Sequence, residues 1–347
     1  MTATPAAFAA ALALSLLLTP VAMRVATTLG IIDRPDRRLK KHSRPTPYLG
    51  GVAIFLACVA AVMAAKYAVD GSPRGVVGML AGATVVFCLG LWDDTRPLGW
   101  GTKLLVQLLA AMIPISLGVH IKFIENPWGA IPLTLLWLVG VTNAFNLLDI
   151  MDGLCSSVAL IAALWFWLIS GLNGRFNDAL TGAALAGSVL GFLRYNLPPA
   201  RVFMGDAGSL FIGFLLASLA IGQGYSMRTE MGVIAPILVL GFPVFETLFV
   251  MAVRWQQGKH PLKGSPDHIP LRLLRMGYTR EKVLLVVGLV CVVLGAAAYA
   301  ITRMNWERAI VTGVLLGFAA MVAAVRLASV DMSQSVDRVR SGDRDRP

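Results

Sequence analysis

Charged side chains are scarce in this sequence of 347 residues: they make up 14% of it, while 57% of the residues are hydrophobic. A water-soluble domain carries roughly 25% charged residues, so a surface that faces water on all sides is excluded. No loop between the apolar stretches is long enough to build a hydrophobic core. The sequence therefore predicts a single integral membrane domain over residues 1–330 and a polar, disordered tail over residues 331–347.

Features typical of several other protein classes are also missing. The four cysteines lie in or beside apolar stretches without a CxxC spacing, so neither a disulfide framework nor a cysteine metal site is indicated. No Lys or Arg precedes Arg24, so the first apolar stretch lacks the basic region of a cleaved signal peptide. The basic residues are not interleaved with aromatic ones, and no nucleic-acid partner is predicted.

Long apolar stretches dominate instead. A helix that crosses the hydrocarbon of a bilayer needs about 17–25 residues. Eleven stretches approach or reach that length: 6–29, 48–69, 75–91, 104–120, 131–148, 157–172, 179–194, 210–224, 232–253, 283–302 and 309–328. Because several of them are short, we expect an all-α, polytopic membrane helix bundle with about 10–11 transmembrane helices.

Basic residues are distributed unevenly among the loops. With loops numbered by the spans they join, 22 of the 30 Lys and Arg residues fall in or beside the odd-to-even loops and the C-terminal tail, and seven fall on the opposite side. Basic residues accumulate on the cytoplasmic side of short loops. This pattern predicts a cell (inner) membrane protein whose N-terminus is outside and whose odd-to-even loops and C-terminus are cytoplasmic.

Unusual polar residues gather in the same cytoplasmic loops. Loop 1–2 reads DRPDRRLKKHSRPTPYLGG over residues 33–51, and a positive-inside anchor explains its charges but not its Pro-Thr-Pro and Gly-Gly elements. Loop 3–4 carries Asp93 and Asp94 at the end of an apolar span. Adjacent carboxylates repel each other unless a cation compensates, although ordinary interfacial aspartates are the simpler interpretation of this pair alone.

Loop 5–6 reads NAFNLLDIMDG over residues 143–153 and follows directly on an apolar span. If the helix continues, positions three apart are neighbours and the polar residues form one stripe: Asn143, Asn146, Asp149 and Asp152. Such residues at bilayer depth normally face a cavity or a partner. Two interpretations stay open, namely a cation between the aspartates or asparagine hydrogen bonds that pack the bundle.

Two further loops contain groups suited to phosphate chemistry. Loop 7–8 reads NLPPARVFMGDAGS over residues 196–209, just before an apolar span. Its Asp206 suits a helix cap, but flanking glycines at a helix N-terminus also suit a phosphate, and a carboxylate suits Mg²⁺. Loop 9–10 contains His268 among seven basic residues, where the imidazole is able to contact a phosphate or donate a proton.

Together these segments resemble the motifs of the polyprenyl-phosphate N-acetylhexosamine-1-phosphate transferases, the superfamily that includes phospho-MurNAc-pentapeptide translocase. The resemblance runs from the first loop through His268, with the motifs in family order. It implies transfer of a sugar 1-phosphate from a UDP-N-acetylhexosamine to a polyprenyl phosphate, such as undecaprenyl phosphate, with release of UMP. It also implies a requirement for Mg²⁺, with Mn²⁺ as an alternative, and leaves a homodimer open.

The resemblance assigns roles residue by residue. Metal binding falls to Asn146 and Asp206. Catalysis falls to Asp93, Asp94 and His268. Substrate binding falls to His42, Asp149, Asp152, Asn196 and Phe203.

Two departures from the family motifs concern the sugar. The family's Asp-Gly-x-Asp-Gly is here DIMDG over residues 149–153, and the histidine-rich loop reads HIPL over residues 268–271, without its later histidines. N-acetylglucosamine is the favoured sugar, because the first loop and the lack of peptide-recognition features are closer to that branch. A phospho-MurNAc-pentapeptide or another hexosamine phosphate is the alternative substrate.

Two other classes of membrane protein compete with an enzyme. A transporter also carries carboxylates at membrane depth, but it usually binds near the midplane between paired halves, whereas these polar clusters gather at one face. A scaffold protein has no need of Asp206 or of the Asn-Asp stripe. We therefore expect five separate segments to converge at one lipid–water boundary around a divalent ion.

Overall fold

The computed structural model describes residues 3–33, 45–68, 74–222, 234–260, 266–330 and 332, with Tyr67 and Ala68 described for their backbone alone. The helices in this part of the chain are α1 (Ala3–Leu29), α2 (Gly50–Ala68), α3 (Arg74–Thr95), α4 (Trp100–Ser116), α5 (Pro127–Leu148), α6 (Leu154–Leu172), α7 (Phe176–Asn196), α8 (Gly205–Gly222), α9 (Ile234–Val239), α10 (Gly241–Gln256), α11 (Ile269–Arg275), α12 (Arg280–Ile301) and α13 (Trp306–Ala328). Strands β1 (Ile32–Asp33) and β2 (Thr46–Pro47) pair antiparallel. The predicted all-α bundle is confirmed.

Each predicted apolar stretch contains a helix, although a few described residues at the edges, such as 48–49 and 117–120, lie outside it. Eight of the described helices are long and apolar enough to cross a membrane by length and composition, and α2 and α4 are shorter apolar helices. The stretch 232–253 is divided between α9 and α10 by a break at Leu240. The short α11, between α10 and α12, was not predicted as a separate helix. The chain is a multi-pass membrane protein; its predicted tail, apart from Met332, lies outside the described residues.

Exposed tryptophans mark the two ends of the bundle. Trp92, Trp100 and Trp255 lie at the ends of α3, α4 and α10 that border loops 3–4 and 9–10. Trp128 lies in the first turn of α5 and Trp306 begins α13, both at the opposite side. Tryptophan is enriched at both membrane–water interfaces, so this placement fits helices that run from one interface to the other.

The core of the bundle is built around α8. All of its residues from 207 to 220 are buried, and it packs against α2, α3, α5 and α6. At the other extreme, Ala309 is the one buried residue of α13. A helix that is apolar on all sides is stable when its surroundings are apolar, either protein or lipid. Apart from the Asp206 side chain in its first turn, which is partly open, α8 is therefore enclosed by neighbouring helices.

A glycine allows α3 to approach that first turn closely. A Cβ built on Gly90 would lie 2.5 Å from the Asp206 carbonyl carbon and from Ala207 N, which no real side chain tolerates. One turn further along α3, Asp94 then reaches the start of α8. The sequence Gly90-Leu-Trp-Asp-Asp therefore combines a close helix contact with the carboxylates that use it.

The β1–β2 pair carries the end of loop 1–2 to the same place. Phe203 N donates to Pro47 O (2.9 Å), and Gly50 N and Gly51 N donate to the carbonyls of Phe203 and Met204 (3.0 Å each). These backbone bonds join the Pro-Thr-Pro and Gly-Gly elements to the loop that precedes α8. The two segments thus form one support beneath Asp206.

Candidate active site

The first turn of α8 carries a carboxylate that side chains of two other helices contact. Asn146 of α5 donates from Nδ2 to Asp206 Oδ1 (2.9 Å) and to Ser209 Oγ (3.0 Å). Lys103 of α4 donates from Nζ to Asp206 Oδ2 (2.8 Å) and forms a second ion pair with Asp93. We call Asp93, Lys103, Asn146 and Asp206 the Asp206 cluster. It is partly open, since the Asp206 and Lys103 side chains are 30% and 24% exposed.

Asp93 also shapes the turn that brings Lys103 to the cluster. Leu98 N donates to Asp93 Oδ1 at 2.6 Å, so the chain after α3 folds back toward that helix before α4 begins at Trp100. Asp93 therefore stabilises this turn and also forms an ion pair with Lys103. One Asp93 oxygen is used by the backbone, and the other faces the ammonium group.

Asp94 has a different environment from its neighbour. Its Oδ1 accepts from Asp206 N (2.8 Å) and its Oδ2 from Ala207 N (3.1 Å). The first N–H groups of a helix have no partner within the helix, and a carboxylate stabilises them as a cap. Gly205, at φ +70°, leaves room for that carboxylate, because a Cβ there would lie 2.5 Å from Asp94 Oδ2. Asp94 thus sets the position of the Asp206 backbone.

The polar stripe expected for a continuous α5 is interrupted. The helix ends at Leu148, and Asp149 is its C-cap residue, with its N–H bonded to Asn146 O (3.3 Å). Burial, together with the charges of Asp206, Asp94 and Asp152, raises the pKa of Asp149 to about 8. A nearby cation would lower that pKa, so Asp149 belongs electrostatically to the site.

Asp152 and Asn196 join the loops around the cluster. Asp152 Oδ2 accepts from Ala200 N (3.1 Å) and lies 3.4 Å from Arg280 Nη1. Asn196 is buried; its Oδ1 accepts from Gly153 N (3.1 Å) and Ser156 Oγ (2.6 Å), and its Nδ2 donates to Val202 O (2.9 Å). Through these contacts both residues stabilise the loops around the cluster. Their assignment to substrate binding stays a prediction.

Two aromatic rings lie beside the support under Asp206. Tyr48 and Phe203 have ring centroids 5.8 Å apart. Burial, with Asp33 nearby, raises the pKa of the Tyr48 phenol well above its usual value. Phe203 is half-buried beside this support, and its assignment to substrate binding stays a prediction. His42 lies outside the described residues.

His268 belongs to a second group of polar side chains. Its Nδ1 lies 2.8 Å from Glu246 Oε1, and Ile269 N donates to both Glu246 oxygens (3.1 and 3.2 Å). Arg272 donates from Nε to Asp267 O (3.0 Å) and from Nη1 to carbonyls at the end of α13, including Leu327 O (2.9 Å). We call Glu246, Asp267, His268 and Arg272 the Glu246 cluster. With Nδ1 engaged, Nε2 is the ring nitrogen left for a substrate, and a catalytic role stays a prediction.

The Asp206 cluster fits a magnesium ion in its donor chemistry. In the described part of the chain, no three His, Cys, Asp or Glu side chains are grouped in the manner of a metal cage. Mg²⁺ does not need one, because it keeps several waters and takes one or two carboxylates together with substrate phosphates. The Lys103 ammonium lies between Asp93 and Asp206, so this cleft stabilises positive charge. Asp206 would hold the ion, and Asn146, whose Nδ2 donates to that carboxylate, would need to turn its amide oxygen toward the ion to bind it.

Comparison with known proteins identifies the class. A family model described as glycosyl transferase family 4 matches residues 76–223, a range that contains the whole Asp206 cluster. A protein of Bacillus subtilis (strain 168) named "Probable undecaprenyl-phosphate N-acetylglucosaminyl 1-phosphate transferase" is 33% identical over 331 residues, which cover 92% of this chain and 91% of that protein. The chain belongs to this family of membrane glycosyl transferases.

Other relatives differ in the substrates that their names state. "Decaprenyl-phosphate N-acetylglucosaminephosphotransferase" of Mycobacterium tuberculosis (strain ATCC 25618 / H37Rv) is 31% identical over 349 residues, covering 88% of this chain and 85% of that protein. "Phospho-N-acetylmuramoyl-pentapeptide-transferase" of Clostridium novyi (strain NT) is 28% identical over 299 residues, covering 79% of this chain and 87% of that protein. The resemblance found from the motifs is confirmed.

Three polar residues that shape these clusters were missed by the sequence reasoning. Lys103 was counted as a topological charge, Gln107 lies inside an apolar stretch, and Glu246 is the one acidic residue of the stretch 232–253. A polar residue at membrane depth is costly and usually has a partner. That signal marks Gln107 and Glu246, whereas nothing in the sequence separates Lys103 from an ordinary interfacial lysine.

Proposed function

We propose that this protein transfers N-acetylglucosamine 1-phosphate from UDP-N-acetylglucosamine to undecaprenyl phosphate and releases UMP. The observation that carries the proposal is the meeting of Asp93, Lys103, Asn146 and Asp206 from four helices at one end of the bundle. The family membership and the N-acetylglucosaminyl names of the relatives support the same reaction. The alternative that the motifs leave open, a phospho-MurNAc-pentapeptide substrate, has the weaker relative behind it.

In the proposed reaction, an oxygen of the acceptor phosphate attacks the sugar-bearing phosphorus of the donor. A new P–O bond forms, the P–O bond to the bridging oxygen breaks, and UMP leaves with that oxygen and its electron pair. Both reactants are anions, so catalysis is chiefly positioning and charge neutralisation. Mg²⁺ bound at Asp206 and Asn146 would supply positive charge to the diphosphate.

The chain's own residues divide the remaining tasks. Lys103 neutralises phosphate charge next to the two carboxylates that orient it. Asp94 fixes the first turn of α8 and so the direction of Asp206. The second pKa of a phosphate monoester is about 6, so the acceptor is already largely deprotonated at neutral pH. Asp93 therefore orients the acceptor or takes its residual proton, and attack is direct; a trapped phosphoryl-Asp93 would contradict this.

We also place the cluster on the cytoplasmic face of the cell membrane, with the N-terminus outside. The charge bias of the loops supports this orientation. Labelling single cysteines in intact cells tests it: a membrane-impermeant thiol reagent should modify a cysteine at Glu125 and leave one at Thr95 unmodified. The reverse pattern would overturn the orientation without touching the reaction.

The test of function is UMP release by the purified, detergent-solubilised protein. UDP-N-acetylglucosamine with undecaprenyl phosphate and Mg²⁺ should give UMP and a lipid-linked sugar diphosphate. UDP-N-acetylgalactosamine and UDP-MurNAc-pentapeptide, assayed in parallel, should react far more slowly. The matched control is Asp178→Asn, which alters a buried carboxylate at the opposite end of the bundle and should leave turnover unchanged. If UMP is released only with UDP-MurNAc-pentapeptide, then phospho-MurNAc-pentapeptide, and not N-acetylglucosamine 1-phosphate, is the transferred group.

A further inference from the structure

A pair of amide side chains lies one helical turn deeper in the bundle than the Asp206 cluster. Gln107 of α4 and Asn143 of α5 bond to each other in both directions: Asn143 Nδ2 donates to Gln107 Oε1 (2.5 Å), and Gln107 Nε2 lies 3.4 Å from Asn143 Oδ1. Gln107 is buried, with 1% of its surface exposed. The pair shows that the helix-packing interpretation of the stripe holds for Asn143, whereas Asn146 serves Asp206.

The pair has a fixed relation to the cluster above it. Gln107 follows Lys103 by four residues on α4, and Asn143 precedes Asn146 by three on α5, so each amide lies about 5–6 Å below a cluster residue on the same helix face. Asn143 Nδ2 also donates to Val139 O (2.8 Å) on its own helix. That bond orients the Asn143 amide before Gln107 meets it.

α4 packs against both α3 and α5, and the amide pair is its hydrogen-bonded link to α5. Both helices are described in full, and within them Gln107 and Asn143 form the side-chain hydrogen bonds that link one to the other. The outer face of α4 is open, with Leu105 and Leu109 58% and 60% exposed. The hydrophobic contacts between α4 and α5 are non-directional, whereas a hydrogen-bonded pair of amides specifies one alignment of the two helices.

We propose that Gln107 and Asn143 are positioning residues, which fix the register of α4 against α5 and so hold the Lys103 ammonium against Asp93 and Asp206. Two amides that satisfy each other in an apolar surrounding tolerate one alignment, because any slip leaves buried donors and acceptors unpaired. The effect on turnover rests on the proposed function. The placement of Lys103 does not.

The experiment is a double-mutant cycle with a swap. Gln107→Leu and Asn143→Leu should each lower kcat by up to about 100-fold, the cost of misplacing a reacting group by about 1 Å, with little change in KM for the donor. The swap Gln107→Asn with Asn143→Gln keeps both amides and should recover turnover at least in part. Thr142→Val is the matched control, because it removes a hydrogen bond made within α5 alone.

The double variant Gln107→Leu/Asn143→Leu separates positioning from packing. It leaves no amide unpaired, so its thermal stability in detergent should return toward the wild-type value while kcat stays low. If kcat returns as well, the pair serves packing alone and the inference is overturned. If the single variants fail to fold, the swap and the double variant still decide between the two roles, because both keep the interface free of unpaired amides.

A second readout does not depend on turnover. Acetic anhydride labelling of Lys103, measured by mass spectrometry, should rise several-fold in the leucine variants and stay at the wild-type level in Thr142→Val. Unchanged labelling in the double variant would overturn the inference. Absence of UMP release from the wild-type protein with every donor would defeat the proposed function instead, and the labelling would still decide the placement of Lys103.

Discussion

The Asp206 cluster and the Glu246 cluster are built from the same kinds of side chain but differ in how completely these are enclosed. In the Glu246 cluster the side chains of Glu246, His268 and Arg272 are at most 5% exposed, and each contacts a protein partner. In the Asp206 cluster one lysine serves two carboxylates that are partly open to the surroundings. Buried charges are stable when paired and hydrogen-bonded. We therefore expect the enclosed cluster to contribute mainly to stability, and the open one to receive an anionic ligand with its cation.

The largest effect that separates the clusters should come from Asp206→Ala. Removing this carboxylate should lower UMP release by about 100- to 1,000-fold, the usual cost of losing a charge-stabilising group in an active site. Thermal stability in detergent should stay near the wild-type value, because one of several mutually repelling carboxylates is gone. Equal losses of stability and turnover would instead place Asp206 among the scaffold residues.

Glu246→Leu should show the opposite pattern. It leaves the Ile269 N–H and the His268 ring without their buried acceptor, and breaking a buried pair of this kind costs about 3 kcal/mol of unfolding free energy. The loss should appear as a lower melting temperature in detergent. Glu246→Gln keeps one acceptor oxygen and is the matched control, expected to lose less. If the Glu246→Leu protein is stable but inactive, the Glu246 cluster is part of the active site instead.

The sequence predicts some of these structural features and not others. The helices follow from the apolar stretches, because length and hydropathy suffice to specify a membrane span. The meeting of Asn146 and Asp206 follows only from the family motifs, since tertiary contacts 60 residues apart leave no local signal. The division of labour between Asp93 and Asp94 does not follow at all, because neighbouring helical residues point about 100° apart and only the packing at Gly90 selects which one caps α8.

Asp94→Asn should have an intermediate effect on both quantities. The amide keeps one acceptor for the first turn of α8 and loses the charge that favours a helix N-terminus, so stability should fall by about 1 kcal/mol. Turnover should fall as well, since the Asp206 backbone is held by this side chain. Asn126→Ala, which removes the cap of α5 at the opposite side of the bundle, should match the stability loss and keep turnover.

The last effect should be a change in pH dependence at Asp149, which is read from stability rather than from turnover. Its pKa is raised to about 8 in the folded protein, whereas an unfolded aspartate has a pKa of about 3.9. The folded state therefore binds the extra proton between these values, so the contribution of Asp149 to stability falls as pH rises from about 4 to about 8. Asp149→Asn removes that slope. Melting temperatures should be measured at pH 5 and pH 8, and the difference between variant and wild type should change in favour of the variant at pH 8. An equal difference at both pH values would contradict the raised pKa of Asp149.

The attachment of α13 has a consequence for handling the protein. Its C-terminal end meets Arg272 and the apolar side chains of Phe249 and Ile269, while the rest of its length faces outward. Arg272 and these apolar contacts together hold the C-terminal end of α13. When lipid is exchanged for detergent, α13 is the described helix whose surroundings change most, because nearly all of its side chains face outward. Its detachment would remove contacts from Arg272, close to His268, while α8 and its carboxylate keep theirs.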